Sequence, residues 1–206
     1  MEWKRDIKEA MREVAGGTRL VLVNFYGQDE GSVKMINETL NDEKVTRLIE
    51  RETAPVACDI TENADLAKEW RVDWTPTFVL ADENGRELER MVGYLPTREF
   101  MEQLILSKGL AAFHLERCEE AVQEFEELIE KFPDSELKPE AEYYLGAAKF
   151  KLTGNAEDLG DICHTLMTEH PDSIWTKRCS VWSHVTRQMK PFYNYSGGGS
   201  AGSGFY

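Results

Sequence analysis

Leu20-Val21-Leu22-Val23-Asn24-Phe25-Tyr26 narrows the choice of fold more than any other segment of the chain. A strand with one wet face alternates apolar and polar side chains. This run is apolar at consecutive positions and rich in β-branched and aromatic residues, so it needs cover on both faces. The segments around it supply that cover. Glu2 to Val14 places Trp3, Ile7, Ala10, Met11 and Val14 at helical spacing and stops at Gly16-Gly17. After the turn Gly27 to Ser32, a second helix is expected from about Val33 to Leu40, continued by Val45 to Arg51. Ala54 to Ile60 reads as another buried strand, Asn63 to Trp70 as helix and Thr77 to Ala81 as strand. Glu83-Asn84-Gly85-Arg86 is a hairpin turn into a strand from Glu87 to Val92. The succession predicts an α/β sandwich, a central sheet flanked by helices.

Beyond Tyr94 the pattern is purely helical. Pro96-Thr97 starts a helix whose apolar stripe, Phe100, Met101, Leu104, Ile105, Leu110 and Phe113, persists to about Glu116. No linker interrupts it, so the last helix of the α/β part is expected to run into the first of an all-α part, with Gly109 as a bend or a close-packing point. The expected organisation is 1–108 for the α/β domain, 109–190 for the helical domain and 191–206 for a Gly/Ser-rich tail. The helical part carries a repeat. Leu128-Ile129-Glu130-Lys131-Phe132-Pro133-Asp134-Ser135 and Leu166-Met167-Thr168-Glu169-His170-Pro171-Asp172-Ser173 match in form and lie 38 residues apart. Helix, Pro-Asp-Ser turn, helix at this period is the mark of a helical-hairpin array. A final helix, about Trp175 to Met189, is expected to cap it. Ser196 to Tyr206 reads as flexible coil, native tail or appended linker alike.

Charge sets limits on partners. With 38 acidic against 24 basic side chains the net charge is −14, which argues against nucleic acid and anionic membrane, since phosphate recognition needs concentrated Lys and Arg. No apolar run is long enough to span a bilayer and the N-terminus is charged from Glu2, so a cytoplasmic protein is expected. Cys58, Cys118, Cys163 and Cys179 are widely separated, without a Cys-x-x-Cys pair or zinc spacing. They read as free thiols packed as small apolar groups, and no metal or cofactor is expected. The acids from Glu119 to Glu130 read as a solvated helix face.

Val21-Leu22-Val23-Asn24-Phe25-Tyr26-Gly27-Gln28-Asp29-Glu30-Gly31-Ser32-Val33-Lys34-Met35-Ile36 resembles the strand, active-site turn and helix of the thioredoxins. Trp74-Thr75-Pro76-Thr77-Phe78-Val79-Leu80, then Asn84-Gly85 and Val92-Gly93, resembles that family's cis-proline loop and closing hairpin. The resemblance implies a thioredoxin-like fold but not its catalysis. Thioredoxins reduce disulfides with a Cys-x-x-Cys at a helix N-terminus, where the dipole favours thiolate. Here those positions align with Glu30 and Val33, the buried Asp of the family with Asn24, and the preceding Trp with Asp29. Glu30 keeps a negative charge at the helix start, a stabilising place by roughly 0.3–1 kcal/mol. The loop by which the family holds an extended substrate aligns with Trp74, Thr75 and Pro76, with Gly93 and Tyr94 beside it. Trp74 and Tyr94 fit either a contact surface or packing beneath the helical half.

Gly109-Leu110-Ala111-Ala112-Phe113, with Glu119 to Glu126 and Ala141 to Phe150, resembles tetratricopeptide repeats; the second repeat departs from that pattern after Gly154-Asn155. The combination resembles bacterial thioredoxin/tetratricopeptide co-chaperones of the chaperedoxin type, and implies a redox-inactive adaptor for protein or peptide clients. The alternative is a thiol-disulfide oxidoreductase acting through Cys58, although a buried strand raises a thiol's pKa. Self-association through the C-terminal tail, with Phe205-Tyr206 docked on a neighbour, is a further expectation.

Overall fold

The computed structural model describes residues 2–185. Its sheet has four strands: β1 (Leu20–Tyr26), β2 (Thr53–Asp59), β3 (Thr77–Ala81) and β4 (Glu87–Val92), in the order β2-β1-β3-β4. β2 runs parallel to β1, β3 is antiparallel to β1, and β4 is antiparallel to β3. Alternation along β1 sends Val21, Val23 and Phe25 into one core and Leu20 and Leu22 into another. The first core is closed by Ile7, Ala10 and Val14 of α1 (Ile7–Val14) and Ala67 of α4 (Ala64–Glu69). The second is closed by α2 (Glu30–Lys34, continuing as a π-helical segment Met35–Leu40), α3 (Glu43–Glu52) and α5 (Thr97–His114). The central strand is thus covered on both faces, as its unbroken apolar run requires.

Polar caps decide where these helices begin. The segment before Ile7 is not helical: the Asp6 carboxylate accepts from Lys8 N–H and starts α1 there, while Lys4 forms a parallel bridge with Val56 along the outer edge of β2. Similarly, α2 starts at Glu30, earlier than the expected Val33, because Asp29 accepts from the Ser32 N–H at 2.9 Å. The expected continuation from Leu40 is instead a new helix, α3, started by Asp42, whose carboxylate accepts from Lys44 N–H and Val45 N–H.

α5 is shared between sheet and helical part. Phe100 meets Phe78 of β3 edge to face with ring centres 5.0 Å apart, while Leu110, Ala111 and Ala112 lie under α6 (Cys118–Lys131) and α7 (Lys138–Thr153) in the same continuous apolar cluster. Enclosure on all sides explains why this helix is apolar around much of its circumference. Of the two roles open to Gly109, close packing is the one observed: a Cβ there would lie 2.5 Å from Cε1 of Phe125. α8 (Glu157–Glu169) and α9 (Ile174–Cys179) follow, and α9 passes into a 3₁₀ turn, Ser180–Trp182. The capping helix expected from Trp175 to Met189 therefore stops short, at Cys179; its last residues and the tail lie outside the described residues. The repeat is visible in hydrogen bonds. Ser135 N–H donates to Phe132 C=O and Ser135 Oγ accepts from Leu137 N–H; Ser173 N–H and Ser173 Oγ do the same with His170 C=O and Trp175 N–H.

The acids of α6 are not all solvated, as the sequence suggested. Lys108 of α5 is buried and paired with Glu52 of α3 and, at 2.6 Å, with Glu124 of α6, while Glu127 is 3.0 Å from Arg51. These acids form a seam joining α6 to the α/β part, and burial pushes the Glu124 carboxyl up despite Lys108.

Candidate functional site

Three short segments meet at one end of the sheet: the start of α2, the loop before β3 and the end of β4. β1 delivers the chain to Gly27, whose N–H donates to the buried Ser32 Oγ. Asp29 caps α2 and binds the loop as well, accepting from Ser32 Oγ at 2.7 Å and from Thr75 Oγ1. Burial alone would raise the Asp29 pKa; the hydrogen bonds from Thr75 and Ser32 outweigh it and hold the carboxyl below its ordinary value. Gly31 permits this approach, since a Cβ there would meet Asp29 Oδ1 at 3.1 Å and Pro76 Cδ at 3.2 Å. The Thr75–Pro76 bond is cis, with Pro76 buried. The Pro76 carbonyl accepts from Gly93 N–H at 2.8 Å, tying in the end of β4.

The structure brings Asp29, Glu30, Val33, Thr75, Pro76 and Gly93 into this one neighbourhood. Glu30 is the exposed first residue of α2, and Val33 is exposed at 47%. Neither side chain can attack a disulfide or resolve a mixed one. Asn24 is buried in β1, and its Oδ1 has no hydrogen-bond partner among the described residues. Cys58 lies on β2, buried and level with Phe25, and burial pushes its thiol up to about 11.

Trp74 and Tyr94 have different fates. Trp74 is 69% exposed and does not pack beneath the helical half. Tyr94 does pack against the main core, its hydroxyl donating to Glu38 at 2.8 Å and its ring lying under Lys34 Nζ. Two further apolar side chains are exposed: Val92, at the end of β4, lines a depression with Trp74, and Ile36 lies three positions after Val33 in the segment that continues α2. Their signal was faint: Val92 ends an otherwise half-polar strand, and Ile36 follows Val33 by three positions on the outer face. Beside Trp74 and Val92 opens a depression of about 380 Å³, walled by Arg71, Asp73, Glu87 and Arg90. The carbonyl of Trp74 accepts from Thr77 Oγ1, whereas the main-chain N–H and C=O of Thr75 have no partner among the described residues.

Two further clusters escaped the sequence reading. Glu142, Glu169 and His170 bring ligand atoms within 4.8 Å of one another, but Lys138 Nζ already sits 2.7 Å from Glu169 and 3.5 Å from Glu142, where a cation would go. Cys163 and Cys179, far apart in sequence, are neighbours in space, with both side chains buried.

Residues 7–106 match the family described as a thioredoxin-like domain. Over 76 residues, 37% of this chain, the sequence is 38% identical to thioredoxin H2-1 of Oryza sativa subsp. japonica and covers 52% of it, so the chain spans about half the length of that curated relative. A thioredoxin from Thermus thermophilus is similar in structure at 26% identity, over 53% of this chain and 92% of that one, with a TM-score of 0.45. The C-terminal domain of DsbD from Neisseria meningitidis, in its oxidised form, is similar at 22% identity, over 50% and 97%, with a TM-score of 0.43. The fold is a thioredoxin-like mixed four-stranded sheet flanked by helices and followed by a helical region. Among the described residues no helix is long and apolar enough to cross a membrane.

Proposed function

Starting from a thioredoxin-like domain whose dithiol positions hold Glu30 and Val33, we propose that this chain is a redox-inactive adaptor that binds extended protein segments. The observation that supports the reading is that exposed Glu30 and Val33, neither a nucleophile toward disulfides, open a helix tied through Asp29 to the loop that bears exposed Trp74. Disulfide exchange needs a thiolate to attack and a second thiol to resolve, and a carboxylate beside an isopropyl group supplies neither. In this reading the contact surface joins exposed Trp74 and Val92 to Val33 and Ile36, exposed on the helix whose cap, Asp29, binds Thr75, and the Thr75 main chain offers one donor and one acceptor. An extended peptide satisfies such main-chain groups while its side chains cover the apolar ones. The helical half, resembling tetratricopeptide repeats, extends the adaptor, and co-chaperone-like handling of unfolded clients fits this combination. The net charge of −14 favours clients with basic or neutral segments over nucleic acid.

The test uses a fluorescein-labelled, reduced and carboxymethylated protein as an unfolded client and reads binding by anisotropy. Trp74→Ala is expected to weaken binding roughly tenfold, the worth of about 1.4 kcal/mol for a truncated aromatic anchor. Equal affinity of variant and parent would remove this surface from the reading. The alternative, catalysis through Cys58, is disfavoured by burial and by a thiol pushed up to about 11. Insulin reduction that is lost in Cys58→Ser would reinstate it.

A further inference from the structure

The helical end of the chain holds a pair of thiols that the adaptor reading does not use. Cys163 sits in the middle of α8 and Cys179 at the last position of α9, each eight residues from Pro171 at the turn between them. An antiparallel hairpin brings positions equidistant from its turn to the same level, and here the two sulfurs lie 2.6 Å apart. That separation lies between a disulfide bond, about 2.05 Å, and a contact of two unbonded groups. Both side chains are fully buried, among Leu166, Tyr143, Ile162 and Trp182. The ring of Trp182 stacks on Tyr143 with centres 4.7 Å apart, forming a cover over the pair. Each sulfur also points at main chain of the hairpin: Cys163 at the Cys179 carbonyl, 3.0 Å, and Cys179 at the Thr176 carbonyl, 3.2 Å. Cys58 and Cys118 lie on other elements, β2 and α6.

We propose that Cys163 and Cys179 are a disulfide-forming pair that covalently closes the α8–α9 hairpin. With a small-molecule disulfide such as oxidised glutathione as oxidant, one cysteine thiolate attacks a glutathione sulfur and displaces the first glutathione thiolate. The second cysteine thiolate then attacks the mixed disulfide at the protein sulfur and displaces the other. One S–S bond forms as one is broken, two electrons pass to glutathione, and the two protons of the cysteines end on two glutathione thiols. The bond is structural and not a catalytic couple: burial pushes the Cys179 thiol up to about 12, so exchange with solvent reagents in the closed hairpin is slow. It forms when the hairpin opens or as the chain folds, and thereafter the aromatic cover shields it.

The experiment refolds the full reduced chain in a buffer of reduced and oxidised glutathione, so that burial does not limit access, and checks the helix content by circular dichroism. Free thiols are then alkylated in denaturant and the intact mass is measured. The expected product carries label on two of the four cysteines and has lost two hydrogen atoms. Trypsin cuts after Lys151, Lys177, Arg178 and Arg187, which leaves Cys163 and Cys179 in separate peptides, 152–177 and 179–187, recovered as one linked species that reductant separates. Label on all four cysteines in the refolded chain, or linkage of either residue to Cys58, Cys118 or a second molecule, would overturn the proposal. Cys163→Ser and Cys179→Ser should each abolish the linked species. Because either substitution disturbs a packed site, the double variant Cys58→Ala/Cys118→Ala is the companion test: it must still form the link, and its failure to do so while folded also overturns the proposal.

Discussion

Replacing Gly109 by alanine pits two effects of opposite sign against each other inside one helix. In an open helix the exchange is favourable by about 0.8–1 kcal/mol, because glycine loses more backbone freedom. In α5 the new methyl carbon would stand 2.5, 2.8 and 3.0 Å from Cε1, Cδ1 and Cζ of Phe125. That ring is fully buried. Relief requires α5 and α6 to separate or the ring to leave its rotamer, and overpacking of this kind costs about 1–3 kcal/mol. Three ring atoms at or inside 3.0 Å place the cost at the upper end, leaving a net loss of about 1–2 kcal/mol. For a chain of this length the thermal midpoint should fall by roughly 2–8 °C. Urea unfolding followed by circular dichroism measures it, and the coupling to Phe125 can be isolated. In a Phe125→Leu background the same Gly109→Ala change should be neutral or stabilising, since the ring edge is gone. A Gly109→Ala variant more stable than the parent would refute the reasoning, because propensity would then have won and the α5–α6 contact would be softer than described.

Introducing cysteines by Glu30→Cys and Val33→Cys should give measurable insulin reduction, since the helix start and the Thr75–Pro76 loop are both in place. A folded but inert double-cysteine variant would show that Asn24 and Asp29 matter as much as the missing thiols. Glu89 of β4, pushed up to about 7 chiefly by burial and then by Glu140 and Glu87, gives a pH dependence. A raised carboxyl binds its proton more tightly folded than unfolded, so its stabilising contribution is complete below about pH 4.5 and is lost as pH rises through about 7. Glu89→Gln should therefore flatten the decline in stability between these values, read as the difference between parent and variant denaturant midpoints at about pH 5 and 8. An unchanged slope would place Glu89 in better contact with water than its surroundings indicate.

The α/β half was readable because its signals are local. Continuous apolar strands, the Asn84-Gly85 turn and the Leu20–Tyr26 run each state their own conformation within a few residues. Helix starts were misplaced where one acid decides them: Asp29 and Asp42 move the boundaries by capping, which spacing of apolar residues does not register. The sequence pointed to Thr75, Pro76 and Gly93, which the fold does bring together, but not to Gly31, whose missing Cβ lets Asp29 and Pro76 approach. The side-chain surface was less legible, because Trp74 and Tyr94 are both large amphipathic rings in sequence, yet one stands exposed and the other lies half-buried against the core. The seam of Lys108, Glu52 and Glu124 draws on three helices, and no local period of α6 separates those acids from solvated ones. The thiol pair was hidden by sequence distance alone; its symmetry about Pro171 is the signal that would have exposed it.

The uninterrupted passage of α5 from sheet to helical hairpins has a thermodynamic corollary. Residues of a single helix melt together unless a cap or a bend separates them, and between Thr97 and His114 there is neither. On the proposed client binding, free energy gained at the Thr75–Pro76 end would be shared with amides of α6 and α7, which pack against the same helix. A client held at one end would be recorded as slower hydrogen exchange at the other, with no atom moved between them.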